Sequence, residues 1–227
     1  MPMSNHLDQK ILDYFNEMKG NWKLPKGVSL IYPFDQADTL EAMSVFYRKY
    51  YGDSKPRKLI MGINPGRLGA GVTGIPFTDP IHLKEHCGID NPFKKKHELS
   101  SIYVFTLIES MGGPLEFFSN YYISSTCPLG FTKDGINYNY YDDPKLFKAV
   151  KPYIVRYIEQ QINFGLTVDR VFCWGKGKNY KFLNKLNEEY KWFDEIVPQP
   201  HPRWIMQYRR KTMEVWKDQM VAELLNV

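Results

Sequence analysis

A glycine-rich stretch at residues 62–77 holds the side chains best suited to act on a ligand. Asn64 offers an amide that can donate and accept hydrogen bonds, Phe77 offers an aromatic face, and the glycines let the backbone approach a ligand closely. A G-x-G-x-x-G pattern begins at Gly69, but the dinucleotide fingerprint needs a helix there, and Pro76 opposes one. We therefore expect a functional loop of another kind, with a plain connecting loop as the alternative.

Three other segments carry residue types that can do chemistry. His201 lies between two prolines, which hold the backbone extended and would fix the imidazole; a structural histidine in a rigid turn is the alternative. Residues 175–178 follow an apolar run, where N–H groups can hold a phosphate or form a tight turn with solvated lysines. His82 and His86 form an H-x-x-E-H zinc pattern beside Cys87. Because no third ligand is evident, we expect a solvated helical turn and no metal.

Alternating apolar and amphipathic segments predict the elements that must position these residues. Apolar runs predict strands at residues 58–64, 121–127, 168–174 and 195–198. Helical spacing predicts helices at residues 7–18, 37–51, 97–111, 144–163, 178–190 and 207–225, with Pro152 as a potential break in the fourth. The Gly- and Pro-rich residues 65–80 are predicted to be loop.

This order of elements favours an α/β fold with a mainly parallel sheet and helices on both faces. We expect one domain over residues 1–227, with a helical N-terminal part at about residues 1–55. Ligands bind at the carboxyl ends of such strands, so the segments that follow them should form one crevice. Four segments do so: Asn64, the turn at 124–127, residues 175–178, and the turn at 200–204.

The composition of the 227 residues excludes several classes of protein. Hydrophobic residues make up 43% and charged residues 24%, which is typical of a globular chain and not of a disordered one. No apolar run approaches the roughly 18 residues of a membrane helix. The first residues lack the basic and apolar regions of a secretion signal, so a cytoplasmic location is expected. The net charge of +5 and the 15% aromatic content are compatible with nucleic-acid binding without requiring it.

The three cysteines, Cys87, Cys127 and Cys173, are scattered along the chain. Their spacing excludes a C-x-x-C zinc ribbon, and three thiolates cannot supply a four-cysteine iron–sulfur cluster. We expect reduced thiols, with Cys127 as a packing residue. Basic runs at residues 94–96 and 208–217 are, taken alone, typical of a solvated surface.

Taken in order, these motifs resemble those of uracil-DNA glycosylases of the single-strand-selective monofunctional (SMUG) type. The run G-x-N-P-G-x-x-G-x-x-x-T-G-I-P-F at residues 62–77 resembles the first family motif. The Cys-Pro-Leu turn at 127–129 and the Gly-Ile-Asn segment at 135–137 resemble the central segment. His201-Pro202, with Arg203, resembles a shortened second catalytic motif. The match covers about residues 58 to 210 and is nearest to a divergent bacterial branch.

The resemblance implies a three-layer α/β/α fold around a four-stranded, mainly parallel sheet. It also implies that the protein flips uracil out of DNA and hydrolyses its N-glycosidic bond by water attack, leaving an abasic site without a metal or cofactor. The expected partners are damaged DNA and enzymes that process abasic sites, and the chain is expected to be a monomer that contacts no membrane. A catalytically silent binder of damaged DNA and a nucleoside hydrolase are the alternatives.

The resemblance further implies roles for individual residues. Asn64 would orient the attacking water, His201 would donate a hydrogen bond to the charge developing on base O2, and Phe77 would stack on the flipped ring. Because an amide does not ionise, bond breaking is expected to be largely dissociative. The base pocket is expected to contain Gly62, Ile63, Pro65, Gly66, Ala70, Phe77, Ser125 and Asn137. DNA contacts are expected from Arg203 and Trp204 as the wedge, and from Arg209, Arg210, Gly175, Lys176 and Lys178.

Two positions depart from the family pattern. Ser125 stands where the family has an asparagine that reads the Watson–Crick edge, so Asn137, Asn139 or a water would take over that reading. Ala70 replaces a bulkier residue beside the 5-position of the base. This substitution predicts tolerance of 5-substituted uracils such as 5-hydroxymethyluracil.

Overall fold

The computed structural model describes residues 6–225. The first five residues and the last two lie outside the described part, and the first five are among those on which the secretion-signal prediction depends. The strands there are β1 (Val28–Ile31), β2 (Lys58–Gly62), β3 (Tyr121–Ser125), β4 (Gly130–Lys133), β5 (Ile136–Tyr138), β6 (Thr167–Trp174) and β7 (Glu195–Gln199). The helices are α1 (Leu7–Glu17), α2 (Ala37–Tyr51), α3 (Ala70–Thr73), α4 (Pro80–Glu85), α5 (Leu99–Ser110), α6 (Gly113–Asn120), α7 (Pro144–Ile162), α8 (Lys178–Tyr190), α9 (Pro202–Tyr208) and α10 (Met213–Leu225).

Four parallel strands form the central sheet, in the order β3-β2-β6-β7. In β2, Leu59, Ile60 and Met61 are almost fully buried. A continuous apolar run of this kind is typical of a parallel strand covered on both faces. Helix α6 packs against β3, and α8 packs against β6 and β7. The predicted four-stranded, mainly parallel sheet flanked by helices is confirmed.

A second sheet, which the sequence pattern does not predict, consists of β1, β4 and β5 in antiparallel order β1-β4-β5. Its strands have only three or four residues, and their faces are partly exposed, so they carry little periodic pattern. Within the N-terminal part expected to be helical, at about residues 1–55, the described residues form α1 and α2 and also β1. This sheet matters for the site because β5 carries Asn137.

Helix α7 continues without interruption through Pro152. A proline inside a helix removes one backbone hydrogen bond and usually bends or breaks the helix. Pro152 is exposed, so water can solvate the carbonyl group that loses its partner. The start of the helix is fixed by Asp143, whose side chain accepts a hydrogen bond from the Lys145 N–H.

Three local predictions are wrong. The predicted loop at 65–80 contains the short helix α3 and the first residue of α4. The predicted turn at 200–204 begins α9, because Pro202 occupies the first helical position, where a proline is well tolerated. The predicted helix at 207–225 is interrupted, because Arg209 leaves the helical conformation and a 3₁₀ turn follows before α10.

Buried apolar side chains from α1 to α10 form one continuous core. Cys87, Cys127 and Cys173 are all buried within it as free thiols. Among residues 6–225, no helix combines the length and the apolar character needed to cross a bilayer.

Candidate active site

A cavity of about 420 Å³ lies at the carboxyl ends of the central strands, a volume typical of small-molecule sites. Asn64 follows β2, Ser125 ends β3 and His201 follows β7. The ends of three parallel strands therefore position side chains in the wall of this cavity. The described residues that line the cavity are Ile63, Asn64, Pro65, Gly66, Ala70, Pro76, Phe77, Glu98, Ser100, Ser125, Asn137, Asn139, Tyr141, His201, Arg203, Trp204, Gln207 and Tyr208.

A second cleft adjoins this cavity and shares His201 and Trp204 with it. Gly175, Lys176 and Lys178 line this cleft and not the cavity. Three of the predicted strand-end loops therefore form the cavity, and the fourth lies directly beside it.

Three predicted site residues, Gly62, Arg209 and Arg210, line neither space. Gly62 lies beneath the ring of Phe77. Arg209 and Arg210 are exposed just after α9, at the end of the helix that carries Arg203 into the cavity wall.

Hydrogen bonds to the backbone hold the side chain of Asn64. Its Oδ1 accepts from the Tyr140 N–H at 3.2 Å, and its Nδ2 donates to the carbonyl oxygens of Pro65 and Tyr138 at 3.3 and 3.4 Å. An amide oxygen has two lone pairs, so one remains for a further donor. The side chain can therefore accept a hydrogen bond from a water molecule in the cavity.

Tyr140 connects Asn64 to the buried core. Its ring is fully buried, and its hydroxyl donates to Asn179 Oδ1 at 2.8 Å. Asn179 Nδ2 in turn donates to the carbonyl oxygen of Gly62, the last residue of β2, at 3.2 Å. Since core contacts determine where Tyr140 lies, they also determine where Asn64 lies, as a preorganised site requires.

The ring of Phe77 forms one wall of the cavity. Its φ of 54° lies in the left-handed region that residues other than glycine rarely adopt. The ring centroid lies 5.0 Å from that of Trp174 and 5.6 Å from that of His201. A Cβ atom at Gly62 would lie 2.7 Å from the ring, so the glycine makes room for it. Backbone strain that is held in place by packing is typical of functional sites.

His201 caps the N-terminus of α9, with Nδ1 accepting the Arg203 N–H at 3.1 Å. Burial, assisted by the Arg203 charge, lowers the pKa of His201 from 6.5 to about 4. The ring is therefore neutral at neutral pH. A neutral imidazole that accepts at Nδ1 carries its proton on Nε2, so Nε2–H is available as a hydrogen-bond donor.

Ser125 lines the cavity as a buried residue at the end of β3. The two asparagines that were expected to replace the missing base-reading amide have partners in the protein. Asn137 Oδ1 accepts from the Arg67 N–H at 3.1 Å, and Asn139 Nδ2 donates to Asp142 Oδ2 at 2.9 Å. Asn137 therefore supports the glycine-rich loop from the side of β5.

Glu98 lies in the cavity wall and is absent from the site predicted by sequence. It precedes α5, and its N–H donates to Asp79 Oδ2 at 2.8 Å. Burial, followed by the charge of Asp79, raises the pKa of Glu98 to about 7, while Arg203 opposes the rise. No motif marks Glu98. The only sequence signal is an acidic residue directly before a largely apolar helix.

The H-x-x-E-H segment lies outside the cavity, in α4. Asp79 caps this helix, because its Oδ1 accepts from the Ile81 and His82 N–H groups and lies 2.8 Å from His82 Nδ1. Burial acts to raise the pKa of Asp79, but the hydrogen bonds from His82 and from the Glu98 N–H outweigh it and leave the pKa below its ordinary value. His82 is buried, so the predicted solvated turn is wrong for this residue. Polar atoms of Asp79, His82 and His97 lie within 4.8 Å of one another. The helix cap accounts for the contact between Asp79 and His82, and His97 is exposed beside them.

Two aromatic residues of α9 lie at the cavity rim and differ in exposure. Trp204 is partly buried, with its ring edge-on to Trp216 at 5.6 Å. Lys176 and Arg209 place their charges 5.8 and 5.0 Å from the centre of the Trp204 ring. Tyr208, one helical turn later, is 65% exposed. Trp204 is thus packed in place, whereas Tyr208 projects from the rim.

Comparisons with known proteins agree with this geometry. The sequence profile described as "Uracil DNA glycosylase superfamily" matches residues 49–225. The crystal structure of wild-type SMUG2 from Pedobacter heparinus is similar over 97% of this chain and 97% of that chain, with 41% sequence identity and a TM-score of 0.94. The profile covers most of the chain, and the structural similarity covers nearly all of it. The chain therefore belongs to the uracil DNA glycosylase superfamily and is a DNA glycosylase of the SMUG type.

Proposed function

We propose that this glycosylase hydrolyses the N-glycosidic bond of uracil in DNA after flipping the base into the cavity described above, leaving an abasic site. The observation that supports this most strongly is the convergence of Asn64, Phe77 and His201 on one cavity. An enzyme that acts on a base must take it out of the stack, and such a pocket needs a stacking face and polar groups at the base edges. Phe77 supplies the face, while Asn64 and His201 supply the polar groups.

Stabilisation of the departing base is assigned to His201. As the glycosidic bond breaks, negative charge develops on the base and positive charge on the sugar. The neutral imidazole lines the cavity, and its Nε2–H can serve as a donor for base O2. A donor whose position is fixed before the reaction, here by the Arg203 N–H at Nδ1, needs no reorganisation as charge develops.

Orientation of the attacking water is assigned to Asn64. Its amide cannot take a proton from water at neutral pH, so bond breaking runs ahead of water addition and the water adds late. The lining side chains in the described part of the chain include amides, hydroxyls, an imidazole and a carboxyl, but no lysine amine that could form a Schiff base. We therefore propose a monofunctional enzyme that hydrolyses the glycosidic bond and does not cleave the strand.

The DNA is proposed to lie across α9 and the adjoining cleft. Lys176 and Lys178 line this cleft, and Arg209 is exposed beside it, so these cations can contact phosphates. Arg203 and Tyr208 are exposed at the rim and are the side chains we propose for the gap left by the flipped base. Trp204, expected from sequence as part of the wedge, is proposed instead to support them from its packed position.

The test uses uracil-containing oligonucleotides, single-stranded and duplex, incubated with the protein in EDTA and then treated with alkali. Strand breaks that appear only after alkali are expected. Breaks without alkali would contradict the monofunctional assignment, binding without breaks would identify a silent binder, and cleavage of free deoxyuridine alone would identify a nucleoside hydrolase.

The same assay tests the two catalytic assignments. Asn64→Ala and His201→Ala should each slow excision by at least about 100-fold. His86→Ala, which removes an imidazole outside the cavity, should leave the rate unchanged. A near-normal rate in either cavity variant would show that its assigned role is wrong.

A further inference from the structure

The carboxyl group of Glu98 lies against the glycine-rich loop inside the cavity wall. A Cβ atom at Gly69 would lie 2.0 Å from Glu98 Oε2, and one at Gly66 would lie 2.7 Å from Oε1. Any larger side chain at either position would therefore displace the carboxyl group. The two glycines leave space for Glu98 in the loop that also carries Asn64.

The carboxyl oxygens of Glu98 accept no hydrogen bond from any residue within 6–225, whereas its own N–H is bound to Asp79. A partly buried carboxyl without a donor favours the protonated form, because removal from water penalises the charge. The pKa of about 7 agrees with this environment.

Charged and titratable groups face Glu98 from several elements. Asp79 lies before α4, His97 is adjacent in sequence, Arg67 lies in the glycine-rich loop, and Arg203 and His201 belong to the start of α9. Asp79 favours the protonated carboxyl, and Arg203 opposes it. At neutral pH a large fraction of Glu98 is therefore an uncharged acid that can donate a hydrogen bond.

Ser125 stands where the family has the base-reading amide, and the amide of Gln207, which also lines the cavity, is exposed at the rim. Ser125 has a single hydroxyl donor, and Asn137 is bound to the glycine-rich loop through Oδ1. The pyrimidine edge of uracil presents N3–H as a donor and O4 as an acceptor. A protonated carboxyl group presents one donor and one acceptor side by side, which matches that edge as a carboxamide does.

We propose that Glu98 contacts the flipped base, with its protonated carboxyl group donating one hydrogen bond to O4 and accepting another from N3–H. The donated bond also stabilises the negative charge that spreads onto O4 as the base departs. The ionised form lacks the donor and repels this charge, so excision requires the protonated form. This inference rests on the proposed function of the cavity.

The test is the pH profile of single-turnover uracil excision from pH 5.5 to 9. The wild-type rate should fall above pH 7, approaching about tenfold for each pH unit. Glu98→Gln, which keeps a donor and an acceptor but cannot ionise, should retain most of the pH 6 rate and lose this alkaline fall. Glu98→Ala should be roughly 10- to 100-fold slower at pH 6. Glu85→Gln removes the same charge at an exposed position and should keep the wild-type profile.

The outcomes separate this inference from the proposed function. An unchanged alkaline fall in Glu98→Gln, or a normal rate in Glu98→Ala, would overturn the role of Glu98 while leaving the slow Asn64→Ala and His201→Ala enzymes as evidence for the cavity. Normal rates in those two variants would overturn both proposals together. If Glu98→Ala does not fold, as judged by circular dichroism, the Glu98→Gln profile decides. A purely structural carboxyl would lower the rate of a variant but would not determine the pH at which the rate falls.

Discussion

Gly62→Ala is the substitution whose effect the structure determines most directly. The new Cβ atom would lie 2.7 and 2.8 Å from Cε2 and Cζ of Phe77, and 3.5 Å from the carbonyl oxygen of Ser124. Carbon atoms in ordinary contact are about 3.5–4.0 Å apart. The Phe77 ring must therefore move by about 1 Å, against the rings of Trp174 and His201.

This displacement predicts a loss of activity larger than the loss of stability. Overpacking of this size costs about 1–3 kcal/mol of folding free energy. A misplacement of about 1 Å in a reacting pair can lower the rate by about 100-fold. We therefore expect Gly62→Ala to stay folded and to excise uracil roughly 10- to 100-fold more slowly, because the flipped base would meet a displaced stacking face.

The measurement is single-turnover excision of uracil from a duplex, with thermal unfolding as the control for folding. Phe77→Leu is the matched background, since a smaller side chain removes the clash. In that background, Gly62→Ala should change the rate by less than about threefold. The difference from its effect in the wild-type background measures a strong coupling between the two positions. An equal loss in both backgrounds, or no loss in either, would refute the steric argument.

Burial keeps the pKa of His201 near 4. Below pH 6.5 the unfolded chain therefore binds a proton at this histidine, whereas the folded chain does not bind it until the pH approaches 4. The free energy of unfolding should therefore fall between pH 6.5 and 4, and urea titrations should show a shallower fall in His201→Gln; identical slopes would exclude this linkage. Tyr208→Ala should weaken binding to abasic duplex about tenfold with an unchanged melting temperature. Trp204→Ala should lower the melting temperature. If calorimetry shows that Tyr208→Ala lowers the melting temperature instead, and titration shows that Trp204→Ala weakens DNA binding instead, our assignment of the wedge would be reversed. Ala70→Met should slow excision of 5-hydroxymethyluracil at least about tenfold relative to uracil, and an unchanged ratio would show that Ala70 does not face the 5-position.

The central sheet could be predicted because its middle strands, β2 and the second half of β6, are buried apolar runs with few local alternatives. Once the sheet is known to be parallel, the carboxyl ends of its strands must lie at one edge, so the convergence of Asn64, Ser125 and His201 follows from chain order alone. The short strands of the second sheet could not be predicted in this way. Their pairing depends on contacts between distant segments and not on local periodicity.

Glu98 and Tyr140 show why part of the site could not be predicted. Glu98 matters because Gly66 and Gly69 leave room for its carboxyl group, and Tyr140 matters because its N–H binds Asn64. Neither residue stands at a recognisable spacing from its partner. Such contacts form between segments that are brought together by folding. They depend on tertiary packing and not on a local sequence pattern.

The pairing of β1 with β4 joins segments that are far apart in the chain, with Val28 opposite Lys133. The superfamily profile begins at residue 49, after β1. Within β4, Gly130 lies close to the glycine-rich loop, because a Cβ atom there would lie 2.2 Å from the carbonyl oxygen of Pro65. A fragment limited to residues 49–225 would leave the β4 edge that pairs with β1 unpaired beside that loop, a surface prone to pair with other chains. The segment before residue 49 therefore supports the loop at a distance, through the pairing of β1 with β4 and through core side chains such as Ile11 and Met43.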